Sequence, residues 1–240
     1  VSGSPADRDG TAVEPAAVPA PTPEQDRAAD LVFGARRELA DRYVAHLAGS
    51  GIVRGLIGPR EVPRLWDRHV LNCAVVEELI PESARVADVG SGAGLPGLTL
   101  AIARPDLRVD LIEPLERRVQ WLTEVIEDLG LEHVRVHRDR AENLADVVDV
   151  DVVTSRAVSA LTTLVPWSVP LLHGEGRMLA IKGRSAAEEI AKAEKVIRRA
   201  GGGNAVVLTA GRELLPEPTT VVAIDVGSVG GRIGPGGSGR

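Results

Sequence analysis

Between Asp88 and Gly97 the chain reads Asp-Val-Gly-Ser-Gly-Ala-Gly-Leu-Pro-Gly, four glycines in ten residues behind a carboxylate. An apolar run containing Val86, Ala87 and Val89 precedes it, and Leu98-Thr-Leu-Ala-Ile-Ala103 follows it. The spacing therefore places a glycine turn between a buried strand and a helix. Such a turn lets a ligand approach bare backbone at a helix N-terminus. Asp88 sharpens the reading. A carboxylate at the strand end repels a dinucleotide pyrophosphate, whereas S-adenosylmethionine (SAM) carries a sulfonium and an ammonium and no phosphate. The loop alone leaves both ligands open, because Gly92-Ala-Gly94-Leu-Pro-Gly97 also satisfies the G-x-G-x-x-G pattern of dinucleotide sites.

Four further groups of residues bear on the choice. Glu113 closes the run Leu111-Ile-Glu113, 25 positions after Asp88, where a carboxylate can accept both hydroxyls of a ribose. Asp139-Arg-Ala141-Glu142 follows a third apolar run and can offer a backbone N–H and a carboxylate to an adenine edge, which has one donor and one acceptor. Arg156, in Thr154-Ser-Arg156-Ala, can grip the methionine carboxylate or a substrate phosphate with its planar fork; its alternative is an ion pair with Asp88 or Glu142. Arg68-His69 and Lys182 complete the set, although a lone helix histidine is often packed and a strand-end lysine often solvated. The candidate catalytic residues are thus Arg68, His69 and Lys182. The candidate cofactor ligands are Asp88, Gly90, Gly92, Gly94, Leu95, Glu113, Ala141, Glu142 and Arg156. No metal ligands are expected. Cys73 and the tryptophans Trp66, Trp121 and Trp167 read as core or interface.

These residues need elements to hold them. Strands are predicted at 85–89, 108–113, 133–137, 151–155, 176–182, 204–209 and 220–226, with helices near 96–104, 115–129, 159–172 and 185–200. The alternation predicts a mostly parallel sheet with helices on both faces. Open sheets of this kind bind ligands at the carboxyl ends of their strands. Pro166 and Pro170 should kink or split the third of these helices. The last two strands, separated by Pro216 and Pro218, have no room for a crossover helix and should be antiparallel. Ahead of the sheet, Leu31, Leu39, Tyr43 and Leu47 recur at helical spacing from Pro23 to about Ala48, and a second helix is predicted from about Pro59 to Ile80. The expected organisation is a disordered tail at 1–22, a helical extension at 23–82, a SAM-binding domain at 83–226 and a flexible tail at 227–240.

Composition sets the outer bounds. With 44% hydrophobic residues and 2% aromatic ones, aliphatic side chains must fill the core of this 240-residue chain. One cysteine rules out an internal disulfide and a cysteine-based zinc cluster. There is no apolar run of about 18 residues and no charged-then-apolar leader, so a cytoplasmic location without membrane association is expected. The net charge is −6, but residues 1–30 hold six acidic and two basic groups, so the remainder is near neutral. A local basic patch on that remainder can still meet a polyanion.

Taken in order, Asp67-Arg-His-Val-Leu-Asn72, the loop Asp88–Gly97, Arg104-Pro105, Glu113-Pro-Leu, Asp139-Arg-Ala-Glu142, Ser155-Arg-Ala157 and Leu179-Ala-Ile-Lys-Gly183 form a pattern. It resembles the small-subunit rRNA guanine-N7 methyltransferases, the glucose-inhibited division protein B family. The run Gly58-Pro-Arg-Glu-Val-Pro-Arg-Leu-Trp-Asp-Arg-His69 is similar to the actinobacterial branch. The resemblance covers about residues 30–225. It implies a class I SAM-dependent methyltransferase fold, Rossmann-like with a seven-stranded sheet, acting on N7 of a guanine in the 530 loop of 16S rRNA. The implied partner is 16S rRNA, the small ribosomal subunit or its assembly intermediate, with a monomer expected. By the same resemblance Gly90 and Leu95 belong to the SAM loop, Ala141 and Glu142 to the adenine contact, and Arg156 to the binding site. Many members have Asp-Ser where this chain has Asn72-Cys73, which leaves no acid at that position.

Overall fold

The computed structural model describes residues 20–227. Seven strands form one sheet: β1 (Arg85–Val89), β2 (Arg108–Ile112), β3 (Val134–His137), β4 (Val152–Arg156), β5 (Gly176–Ile181), β6 (Gly202–Ala210) and β7 (Thr219–Val226). Their order across the sheet is β3-β2-β1-β4-β5-β7-β6. The first five run parallel, and β7 inserts antiparallel between β5 and β6. The strand order reverses beside β1, where Asp88 is level with Leu111 on β2 and Thr154 on β4. In an open α/β sheet the ligand crevice lies at such a reversal.

Strand side chains alternate between two cores, as the pleat requires. On β5, Leu179 and Ile181 face one core, while Met178 and Ala180 face the other. On β7, Val221 and Ala223 oppose Val222 and Ile224 in the same way. Among the described residues six α-helices longer than a single turn flank the sheet: α1 (Pro23–Phe33), α2 (Arg37–His46), α3 (Gly97–Ala103), α4 (Glu116–Leu129), α5 (Leu161–Ser168) and α6 (Ala186–Arg199). The first core joins α1 and α2 to α3 and α4; the second is closed by α5 and α6. Residues 23–82 thus share their core with the sheet and do not stand apart from it.

Three helices differ from expectation, each for a local reason. The helix expected over 23–48 breaks at Gly34, whose φ of 51° lies in the left-handed region that glycine tolerates. The segment expected as one helix over 59–80 is a tight turn (Pro59–Arg64), a wide turn (Leu65–Leu71), one α turn (Asn72–Ala74) and a second tight turn (Val75–Leu79). Pro63 lies inside the first of these and removes a backbone donor. The helix expected over 159–172 splits into α5 and a tight turn at Val169–Leu172 that opens on Pro170, as its prolines required. The tails expected at 1–22 and 227–240 lie outside the described residues, apart from 20–22 and Gly227. Within that remnant Thr22 is ordered as the N-cap of α1: its hydroxyl accepts the Gln25 N–H, and Gln25 accepts the Thr22 N–H.

Candidate active site

The carboxyl ends of β1, β2, β3 and β4 open into a cavity of about 750 Å³. That volume suits a medium-sized cofactor, since small-molecule sites span roughly 300–1,000 Å³. Gly90, Gly92, Leu95, Glu113, Ala141, Glu142, Arg156 and His69 line it, so eight of the twelve residues singled out from sequence converge on one space.

The glycine loop is shaped by what surrounds it. Gly90 has a φ of 72°, and a Cβ there would meet Val158 Cγ2 at 2.6 Å. The loop passes under the segment after β4 with space for a hydrogen only. Glu113 is almost wholly buried and braces the loop from the other side. Its Oε2 accepts the Gly92 N–H at 2.9 Å, and its Oε1 accepts the Leu115 N–H at 3.0 Å. Arg118 approaches Oε2 at 3.4 Å. Oε2 is thus shared between Gly92 and Arg118, while Oε1 keeps a lone pair for a ligand hydroxyl. From the helical extension, the Tyr43 hydroxyl donates to the Ala93 carbonyl at 2.6 Å, fully buried.

Four of the expected residues lie elsewhere. Asp88 is beneath the loop, fully buried, and does not line the cavity. Its Oδ2 accepts the Gly97 N–H at 3.0 Å, at the start of α3. Burial pushes its carboxyl up to about 7. Asp88 therefore anchors the turn from below the cavity. Gly94 also faces inward: a Cβ there would meet Leu98 at 2.4 Å, so it is a packing glycine. Lys182 does not reach the cavity mouth, because its ammonium donates to the Ser159 carbonyl at 2.6 Å and pairs with Glu189 at 2.9 Å. Arg68 is half exposed outside the cavity wall, 3.9 Å from Glu61.

Arg156 pairs with neither Asp88 nor Glu142. Its guanidinium donates to Nδ1 of His69, to the His69 carbonyl at 3.3 Å and to Cys73 Sγ at 3.1 Å. The other ring nitrogen of His69, Nε2, meets Glu61 Oε2 at 2.7 Å. Burial, reinforced by the Arg156 charge, holds His69 below the ordinary imidazole value, so it is neutral at pH 7. The Cys73 thiol is buried and raised, hence unreactive.

Sequence reasoning missed Glu61 and Trp167 in the cavity wall. Trp167 was expected in the core or at an interface; it is half-buried and lines the cavity from α5. Glu61 gave no periodic signal because the segment carrying it is not a regular helix. Trp66 and Trp121 are buried in the core, as expected.

The family model for rRNA small subunit methyltransferase G matches residues 36–215. The chain belongs to this family. It is 66% identical over 200 residues to the ribosomal RNA small subunit methyltransferase G of Pseudarthrobacter chlorophenolicus, covering 83% of this chain and 93% of that one. To the methyltransferase G of Renibacterium salmoninarum it is 67% identical over 202 residues, covering 84% and 94%. Among solved structures it is similar to Methanococcus jannaschii TYW2 in complex with AdoMet, with a TM-score of 0.52, 16% identity and coverage of 67% and 76%. At that identity the likeness shows the fold, which is that of the class I SAM-dependent methyltransferases. In methyltransferase G terms, the segment around Glu61 and His69 falls within the matched region and supplies one wall of the cavity.

The cavity suits SAM on its own chemistry. An acidic acceptor stands at the end of β2, a turn with an exposed carboxylate (Glu142) at the end of β3, and a guanidinium without a carboxylate partner among the described residues at the end of β4. Gly90, where a Cβ would clash with Val158, keeps the loop backbone bare between them.

Proposed function

We propose that this chain methylates N7 of a guanine in the 530 loop of 16S rRNA, with SAM as methyl donor and the small ribosomal subunit or an assembly intermediate as partner. When bound, SAM supplies a methyl group made electrophilic by its sulfonium. In this reading Glu113 accepts the ribose hydroxyls, Ala141 and Glu142 meet the adenine edge, Gly90, Gly92 and Leu95 give the loop contact, and Arg156 holds the methionine carboxylate. Trp167 and Val158 exclude water from the same wall.

One observation carries the choice of chemistry. Both ring nitrogens of His69 are occupied, one by Glu61 and one by Arg156, so the histidine in the wall is not free to act as a general base. Guanine N7 presents a lone pair and no proton, so its alkylation asks for none. The residues work by binding and orientation, which can supply much of a displacement barrier. Arg68 and Arg64 are exposed beside Glu61 and are suited to RNA phosphates as positioning contacts. Among the described residues no helix is long and apolar enough to cross a membrane. In this reading the chain meets ribosomal particles in the cytoplasm as a monomer.

The test is borohydride–aniline cleavage and primer extension on rRNA from cells with the gene, without it, and complemented. Cleavage in the 530 loop that disappears only in the deletion supports the reading. Cleavage that persists in the deletion overturns it.

A further inference from the structure

Arg156 ends β4 with its guanidinium in the cavity wall, and three of its five N–H donors are taken by His69 and Cys73 of the helical extension. An arginine offers only donors. The Nδ1 of His69 that receives it must therefore be bare, which puts the imidazole proton on Nε2. That Nε2–H points to Glu61 Oε2 at 2.7 Å. The Glu61 side chain is one-third exposed, while the His69 side chain is 9% exposed. A carboxylate, an imidazole and a guanidinium thus run in series from the rim of the cavity into its wall.

We propose that Glu61 and His69 are positioning residues for Arg156, a relay in which the carboxylate fixes the imidazole tautomer and the bare Nδ1 fixes the guanidinium. The proposal rests on the reading of Arg156 as a ligand of the methionine carboxylate. A direct carboxylate partner would neutralise the arginine and compete with an anionic ligand. A neutral imidazole orients the same fork and leaves its charge available, as outer partners do for metal-binding histidines.

The relay has a built-in acid limit. Protonated His69 would present Nδ1–H to a group that has only donors and would place a second cation beside it. The other charged or titratable groups facing the relay are Arg64 and Arg68 on the Glu61 side, Cys73, Tyr43 from α2 and Asp88 from β1. Of these, Asp88 faces the Cys73–Tyr43 end and does not touch His69.

The experiment is SAM binding to the full chain by calorimetry between pH 5 and 8, with a thermal melt for each variant. His69→Asn keeps an acceptor at the Nδ1 position and cannot titrate. His69→Gln keeps a donor towards Glu61 and removes that acceptor. The expected result is that H69N binds within about threefold of the wild type and lacks its acid limb. H69Q should bind at least about tenfold more weakly, a loss that vanishes when it is added to Arg156→Ala. Equal binding by H69N and H69Q, an acid limb that survives in H69N, or a full further loss in the R156A/H69Q double variant overturns the relay. If H69Q does not fold, the acid limb of H69N decides. R156A binding like the wild type would instead remove Arg156 as a ligand, and the relay with it, an outcome distinct from the first three.

Discussion

The Gly92 N–H donates to Glu113 at 2.9 Å, which makes the acid at the end of β2 the strut of the glycine loop as well as part of the cavity wall. A ligand that engages Glu113 therefore engages a group already fixed by two backbone donors, Gly92 and Leu115.

Glu113→Gln keeps one acceptor but sets an amide N–H against a backbone N–H, so the loop loses a brace and the ligand loses an acceptor. Hydrogen bonds to charged groups contribute about 1.5–3 kcal/mol, so SAM affinity should fall by about 10- to 100-fold. Calorimetry checks this. Unchanged affinity in a folded variant removes Glu113 from the site.

Gly90→Ala brings a Cβ to within 2.6 Å of Val158 and asks alanine to adopt a φ of 72°. The conformational cost alone is about 1–2 kcal/mol. The variant should melt lower and bind SAM poorly. Adding Val158→Ala removes the collision but keeps the strain, so the double variant should recover part of the loss. A double variant no better than G90A would show that Val158 is not what constrains the loop.

Asp88 has a carboxyl raised from an ordinary 3.8 to about 7 by burial. The folded state then holds a proton that the unfolded state releases, so this group's contribution makes the protein less stable as pH rises from about 4 to about 7 and is constant above. Asp88→Asn should carry no such penalty. The melting temperature of D88N relative to the wild type, measured without ligand, should rise from pH 5 to pH 8. A difference that stays flat or falls would contradict the raised carboxyl.

Lys182 and Glu189 are 11% and 24% exposed and 2.9 Å apart. Lys182→Met leaves Glu189 without its partner and should cost about 1–3 kcal/mol of stability, less than a fully buried pair would. Because Lys182 is absent from the cavity wall, kcat and KM for methyl transfer to small subunits should stay within about threefold. A collapse of kcat at unchanged stability would return Lys182 to the chemistry.

The sheet was legible because its signals are local. The short apolar runs of the strands, the glycine turn after β1, and Pro166 and Pro170 act within a few residues. The same holds for Gly90, Leu95, Glu113, Ala141, Glu142 and Arg156, each fixed by its place at a strand end. Asp88 and Lys182 also sit at strand ends, yet one points into the interior and the other is held by Glu189. Strand position sets where a side chain starts and not what captures it. Glu61 was invisible because its contact with His69 spans a tight turn followed by a wide one, a geometry with no repeating period. The pairing of His69 with Arg156 joins residues 87 apart in sequence, and no spacing rule reaches that far.

The Tyr43 hydroxyl, bonded to the Ala93 carbonyl, ties α2 to a turn fifty positions later. Opening either region breaks a bond that holds the other, so the expected outcome in hydrogen exchange is that their amides open together. No residue of α2 lines the cavity. A molecule that steadies the glycine turn consequently slows exchange along a helix it never touches, and α2 becomes a remote reporter of occupancy.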